Sequence, residues 1–153
     1  MANDVVQVRK AETNDLDSIK ALADANRKTL GFVLRATLAV GIQRNWMLVA
    51  ESSNCVLIGF VHYRHRQNSQ TTLYEICVHE AYRYNGFGRA LIQALVKEST
   101  TLGKADIYLK APINIPANEF YRNMGFTSVG VDPGKKRVLR IWHYPICRGD
   151  VTV

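Results

Sequence analysis

Arg83-Tyr84-Asn85-Gly86-Phe87-Gly88-Arg89-Ala90 is the stretch on which the fold of this chain turns. The apolar run at 73–78 before it reads as a strand. After it, residues 87–102 place Phe87, Leu91, Leu95 and Leu102 at helical spacing. A glycine-rich turn therefore joins a strand to a helix N-terminus. The first N–H groups of a helix lack internal acceptors, and its dipole favours an anion, so such a turn suits a phosphate. Gly86 and Gly88 carry no Cβ, which lets a ligand approach the main chain, and Arg83 adds a fixed positive charge. The dinucleotide fingerprint G-x-G-x-x-G fails, because Leu91 stands at the third glycine position. Asp106, about twenty residues on, opens the next strand where a ribose-binding acid closes one, and no Walker A loop occurs.

Working outward, the next informative stretch is Asn114-Ile115-Pro116-Ala117-Asn118-Glu119-Phe120-Tyr121-Arg122-Asn123-Met124-Gly125-Phe126, or N-x-x-A-x-x-F-Y-x-x-x-G-F. With R-x-x-G-x-G-x-A before it and one strand between, the chain resembles the GCN5-related N-acetyltransferases (GNAT). The resemblance extends over most of the chain and is sharpest from 73 to 126. It implies an α/β fold of the α+β kind: a mixed, mostly antiparallel sheet flanked by helices.

The remaining elements agree with that order. Residues 5–10 alternate as a first strand. Thr13 is a helix cap, with Asp15 and Asp17 in the first turn, for a helix over 14–27 that buries Leu16, Ile19, Leu22 and Ala23. Gly31 interrupts it, and a second helix over 33–43 places Leu34, Leu38 and Ile42 on one face. Strands follow at 47–51, 56–66 and 73–78, separated by turns at Ser52-Ser53-Asn54 and Gln67-Asn68-Ser69-Gln70. Gly103 stops the helix that begins at Phe87. A strand spans 105–111, a short helix opens at Pro116 and ends near Gly125, and strands at 126–131 and 137–144 form a closing hairpin around Asp132-Pro133-Gly134. The order β-α-α-β-β-β-α-β-α-β-β shows no repeat or linker. A single domain over 1–145 with a tail over 146–153 is expected.

The 153 residues suit one domain with a real core, and 47% apolar composition argues against disorder. No apolar run approaches the ~20 residues that span a bilayer, and no secretory leader is read at Met1-Ala2-Asn3-Asp4. Cys55, Cys77 and Cys147 are too widely spaced for a zinc site or a disulfide framework, so a reduced, cytoplasmic protein without a metal is expected. Cys77 reads as a buried small residue rather than a nucleophile. The net charge of +7 favours anionic ligands such as a nucleotide cofactor, or a nucleic-acid or ribosomal partner. The basic clusters Arg64-His65-Arg66 and Lys135-Lys136-Arg137 come with no nucleic-acid module.

The resemblance implies acetyl-CoA as co-substrate. Its pyrophosphate would lie on the main-chain N–H groups of Tyr84, Asn85, Gly86, Phe87, Gly88 and Arg89, with Arg83 and Ala90 completing the motif. Pantetheine would follow the backbone of Ile76, Cys77 and Val78, and the N–H of Val78 would hold the developing oxyanion. Tyr121 would be the general acid for the departing thiolate, since a phenol titrates near pH ~10 and keeps its proton at neutrality. The alternative for Tyr121 is a core aromatic, a place that Phe120 fits better. Asn114 would bond the pantetheine arm or cap the short helix.

The base is less defined. The position where some relatives carry a glutamate holds Lys110. Glu75, alone in an apolar strand, is either the base, directly or through water, or one end of a salt bridge to Lys110 or Arg64. His62 and His79 have suitable chemistry but weaker placement. Phe32, Arg35, Tyr63, His65 and Tyr74 are candidates for the acceptor pocket by position. The expected reaction moves an acetyl group to a primary amine, on a small molecule or a protein, by direct attack in a ternary complex. An acetyl-CoA sensor without turnover and an RNA- or ribosome-associated protein are the rival readings. Relatives often dimerise, so a homodimer is a further expectation.

Overall fold

The computed structural model describes residues 7–146. The first two residues of the expected strand, Val5 and Val6, and most of the tail, with Cys147, lie outside the described residues. Among the described residues, seven strands form one sheet in the order β1-β2-β3-β4-β5-β7-β6. The elements are β1 (Gln7–Lys10), α1 (Leu16–Ala25), α2 (Arg27–Leu30), α3 (Arg35–Gln43), β2 (Met47–Glu51), β3 (Leu57–His65), β4 (Gln70–Val78), α4 (Phe87–Thr101), β5 (Asp106–Pro112), α5 (Ala117–Asn123), β6 (Thr127–Asp132) and β7 (Leu139–Pro145). Short 3-10 turns precede α1 and α4. The mixed α/β architecture is the expected one. No helix among the described residues is long and apolar enough to cross a membrane.

Packing divides the chain into two compact units, residues 1–64 with 75–95, and residues 65–74 with 96–153. In the first, β1 pairs antiparallel with β2 (Gln7↔Glu51 to Lys10↔Leu48), and β2 with β3 (Met47↔His62). Ile19, Leu22 and Ala23 of α1 and Leu38 and Ile42 of α3 bury against Met47, Val49, Phe60 and Cys77. Each large aliphatic side chain fully buried there contributes about 1.5–3 kcal/mol. Arg9 fastens β1 to its neighbours through Asp15 (2.8 Å) and Glu51 (3.1 Å).

In the second unit the only parallel ladder described joins β4 to β5, from Gln70↔Asp106 to Leu73↔Leu109. Strand β7 lies antiparallel between β5 (Ile107↔Tyr144, Leu109↔Trp142) and β6. Trp142, Ile107 and Leu109 are buried here. His65 joins Thr71 through Nδ1 (2.8 Å) and Glu98 through Nε2 (2.7 Å), and Thr71 meets the buried Ser99.

Several local expectations are corrected. Thr13 is not the cap: Glu12 holds that position, and its N–H donates to Asp15 Oδ2 (2.7 Å). The first helix breaks at Asn26, whose amide turns back to the Leu22 carbonyl, giving α1 and α2 rather than one helix to Arg27. Leu34 precedes α3 at its cap and is exposed, as is Leu102 beyond α4, so neither continues its apolar stripe. Leu16 is only partly buried. Gly31 and Gly103 take positive φ (74° and 75°), as helix stops do.

Candidate functional site

The strand, turn and helix read from the sequence come together within the first unit. After Val78, the His79 N–H donates to the Ile58 carbonyl (2.7 Å), and the His79 ring accepts the Ala81 N–H (3.0 Å). Edge-on contacts run from His79 to Tyr82 and from Tyr82 to Phe87, whose buried ring seats the start of α4. His79 therefore shapes the turn. Tyr84 and Gly86 both have positive φ (66° and 89°). For tyrosine this backbone costs about 1–2 kcal/mol, and the side chain of Tyr84 is fully exposed. The Asn85 amide ties the turn to the carbonyls of Tyr82 and Arg83. The first helical bond of α4 runs from the Ala90 N–H to the Gly86 carbonyl (3.0 Å). The N–H groups of Phe87, Gly88 and Arg89 therefore lie ahead of the ladder, as an anion site requires. A Cβ on Gly86 would meet no atom within 4 Å. The turn fits a phosphate group: open at its glycine and lined with backbone donors.

Arg83 is also held by groups of the protein itself. Its Nε donates to the Val78 carbonyl (3.2 Å), and its Nη2 bonds Asn26 Oδ1, so its fork clamps the end of β4 to the break between α1 and α2. Cys77 is buried, and burial pushes its thiol up to about 12, which keeps it protonated and unreactive. Gly59 was missed in the sequence. A Cβ there would stand 2.9 Å from the Cys77 carbonyl oxygen, so only glycine lets β3 lie this close to β4 beside the turn.

Glu75 has a partner that the sequence did not point to. Its Oε2 lies 2.8 Å from Nδ1 of the buried His62. The expected alternatives are otherwise engaged: Lys110 pairs with Asp132 (2.8 Å), holding that carboxyl below its usual range, and Arg64 stacks on Trp46. Among the acceptor candidates, Tyr63 is fully buried with its hydroxyl bonded to Lys10 Nζ (2.9 Å), and His65 belongs to the Thr71–Glu98 network. Phe32 is exposed with Lys20 and Arg27 over its ring, Arg35 pairs with Asp17, and Tyr74 is exposed near Arg66.

In the second unit Tyr121 is buried among Phe126 and Trp142, with ring centroids at 6.0 and 6.3 Å, while Phe120 is only partly buried. The expectation that Phe120 takes the core place is thus reversed. Asn114 is exposed in the turn before α5, and Pro116 holds the helix cap, so Asn114 does not cap it. The turn is held instead by Asn118, a residue that the sequence reading passed over. Its amide donates to the carbonyls of Pro112 (2.8 Å) and Ile115 (3.1 Å), and its Oδ1 accepts from Trp142 Nε1 (2.9 Å). Among the described residues no group of three or more His, Cys, Asp or Glu is arranged to hold a metal ion.

A family profile described as Acetyltransferase (GNAT) domain matches residues 43–128. Ard1 from Thermoplasma volcanium superposes with TM-score 0.85 at 15% identity, over 94% of this chain and 99% of that one. The ribosomal-protein-S18-alanine N-acetyltransferase of Escherichia coli gives TM-score 0.78 at 21% identity, over 97% and 99%. The PaiA N-acetyltransferase of Thermoplasma acidophilum, solved in complex with coenzyme A, gives TM-score 0.78 at 18% identity, over 92% and 99%. No curated protein matches the chain. The matched profile takes in the whole strand–turn–helix stretch and α5, and on that ground the chain belongs to the GNAT acetyltransferase family.

Proposed function

We propose that this protein transfers an acetyl group from acetyl-CoA to a primary amine by direct attack in a ternary complex, residues 1–145 acting as one catalytic domain. The observation that carries the reading is the turn at 83–90: two positive-φ positions, Tyr84 and Gly86, on either side of Asn85, an open glycine, and helix N–H groups ahead of the first ladder bond. Bound acetyl-CoA supplies an activated thioester. The N–H groups of Tyr84 to Arg89 bind its pyrophosphate, and the backbone of Ile76, Cys77 and Val78 aligns pantetheine, joined by Asn114. The Val78 N–H stabilises the negative charge that develops on the carbonyl oxygen. Glu75 takes the proton that the acceptor ammonium must lose, and Tyr121 donates one to the departing sulfur.

The widely spaced cysteines support a reducing, cytoplasmic setting. The acceptor is an amine on a small molecule or a protein; the structural relatives include an enzyme that acts on a ribosomal protein. Calorimetry of acetyl-CoA beside NAD⁺ tests the cofactor, and release of free CoA thiol with a panel of amines tests the transfer. Micromolar binding of acetyl-CoA alone, followed by amine-dependent thiol release, is expected. Equal binding of NAD⁺, or no binding by folded protein, refutes the proposal.

A further inference from the structure

The pairing of His62 with Glu75 is specific enough to assign a part to each. The Nδ1–Oε2 separation is 2.8 Å, and at that distance two bare lone pairs would repel, so a proton lies between them. A carboxylate oxygen accepts and an imidazole N–H donates, which puts that proton on Nδ1. The ring lies close against helix α3. Helix α3 presses on it at Gly41, where a Cβ would stand 2.7 Å from Nε2 and 2.9 Å from Cδ2 of His62. The two partners differ in access: the His62 side chain is 5% exposed, that of Glu75 18%. The glutamate thus reaches the solvent side while the histidine stays inside.

We propose that His62 is the positioning residue for Glu75. It holds Oε2 through Nδ1–H and so turns Oε1 toward the acceptor, with Gly41 providing the room in which the imidazole sits. This rests on the acetyl-transfer reading above. The ammonium N–H bond breaks, its electron pair stays on nitrogen, the proton passes to Glu75 Oε1 and then to water, and His62 keeps its own proton throughout.

The test is a double-mutant cycle on amine-dependent CoA release. The variants are His62→Leu, His62→Asn, Glu75→Gln and His62→Leu with Glu75→Gln. Acetyl-CoA affinity is measured for each. Asparagine carries an N–H donor close to the place of Nδ1. His62→Leu should lower kcat about tenfold with acetyl-CoA affinity unchanged within about twofold, and His62→Asn should restore most of it. With Glu75→Gln already present, removing His62 should change kcat less than about twofold. Should the leucine variant not fold, His62→Gln takes its place in the cycle, since its amide reaches the place of Nε2 and should fold without rescuing. Multiplicative losses, or an asparagine variant no better than leucine or glutamine, overturn the role of His62 while the transfer reading stands. Wild-type protein that binds acetyl-CoA yet acetylates no amine overturns both.

Discussion

Gly86→Glu separates ligand binding from folding. Gly86 sits at φ 89°, so any other residue there bears about 1–2 kcal/mol of backbone strain. No atom lies within 4 Å of an added Cβ, so the fold adds no steric cost. The loss of stability should therefore be about 1–2 kcal/mol, a fall in Tm of about 2–8 °C for a chain of this size. Binding is another matter, because the open space is the proposed pyrophosphate site. A carboxylate about 5 Å from a phosphate charge, at an effective dielectric of about 20, adds roughly 3 kcal/mol of repulsion. That corresponds to about a 150-fold weaker Kd. Gly86→Ala is the control, carrying the strain without the charge. Calorimetry with acetyl-CoA, beside urea denaturation of all three proteins, gives both quantities. A Gly86→Glu protein that binds acetyl-CoA within about threefold of Gly86→Ala refutes the placement of the phosphate.

Tyr121→Phe should reduce kcat about 10²-fold while leaving the acetyl-CoA Kd nearly unchanged, as steady-state kinetics and calorimetry together would show; an unaltered kcat removes Tyr121 from the mechanism. Asn118→Leu leaves the buried Trp142 Nε1–H and the turn carbonyls without their partner, and should lower unfolding free energy by about 2–4 kcal/mol in urea; a loss under about 0.5 kcal/mol contradicts that assignment. Arg9 holds the Asp15 carboxyl below its ordinary range, chiefly by hydrogen bonding. The folded pKa is depressed, so the stabilisation is present above the unfolded value near pH ~3.9 and fades as pH falls through the folded one. The stability gap between wild type and Arg9→Met should thus shrink in acid, and a gap constant from pH 7 to 2 counts against the pairing. With Cys55 and Cys147 replaced by serine, Cys77 should resist a thiol reagent until urea unfolds the protein; rapid labelling of native protein would contradict its burial.

The stretch at 83–90 was legible because its signals are local. Apolar alternation, glycines and helical spacing all act within a few residues, and Phe87, Leu91 and Leu95 are buried as their spacing implied. Leu34 and Leu102 show where that rule ends: each sits one step beyond a helix end, where the 3.6-residue repeat no longer decides which way a side chain points. The part of Asn118 was hidden because a polar side chain inside a short helix looks like surface, and its value depends on a tryptophan 24 residues away. The partner of Glu75 was hidden for a similar reason. Which side chain on β3 meets which on β4 is set by pairing between strands, and a shift of one residue would send His62 to the other face. Gly59 carries no chemical signal at all until the Cys77 carbonyl is seen above it.

The place of β7 between β5 and β6 bears on biosynthesis. Strand β6 leaves the ribosome before β7, yet its sheet neighbour is β7, and so is one neighbour of β5. Until residues 139–145 emerge, β6 has no edge to dock on and Ile107 and Leu109 have no Trp142 or Tyr144 opposite them. A chain released at Lys136, without β7, would leave β6 with no partner strand and Ile107 and Leu109 uncovered on that edge, open to chaperones and proteases. The half that carries Tyr121 is thus completed by a strand that follows it by nearly twenty residues, and quality control during translation would act on that interval.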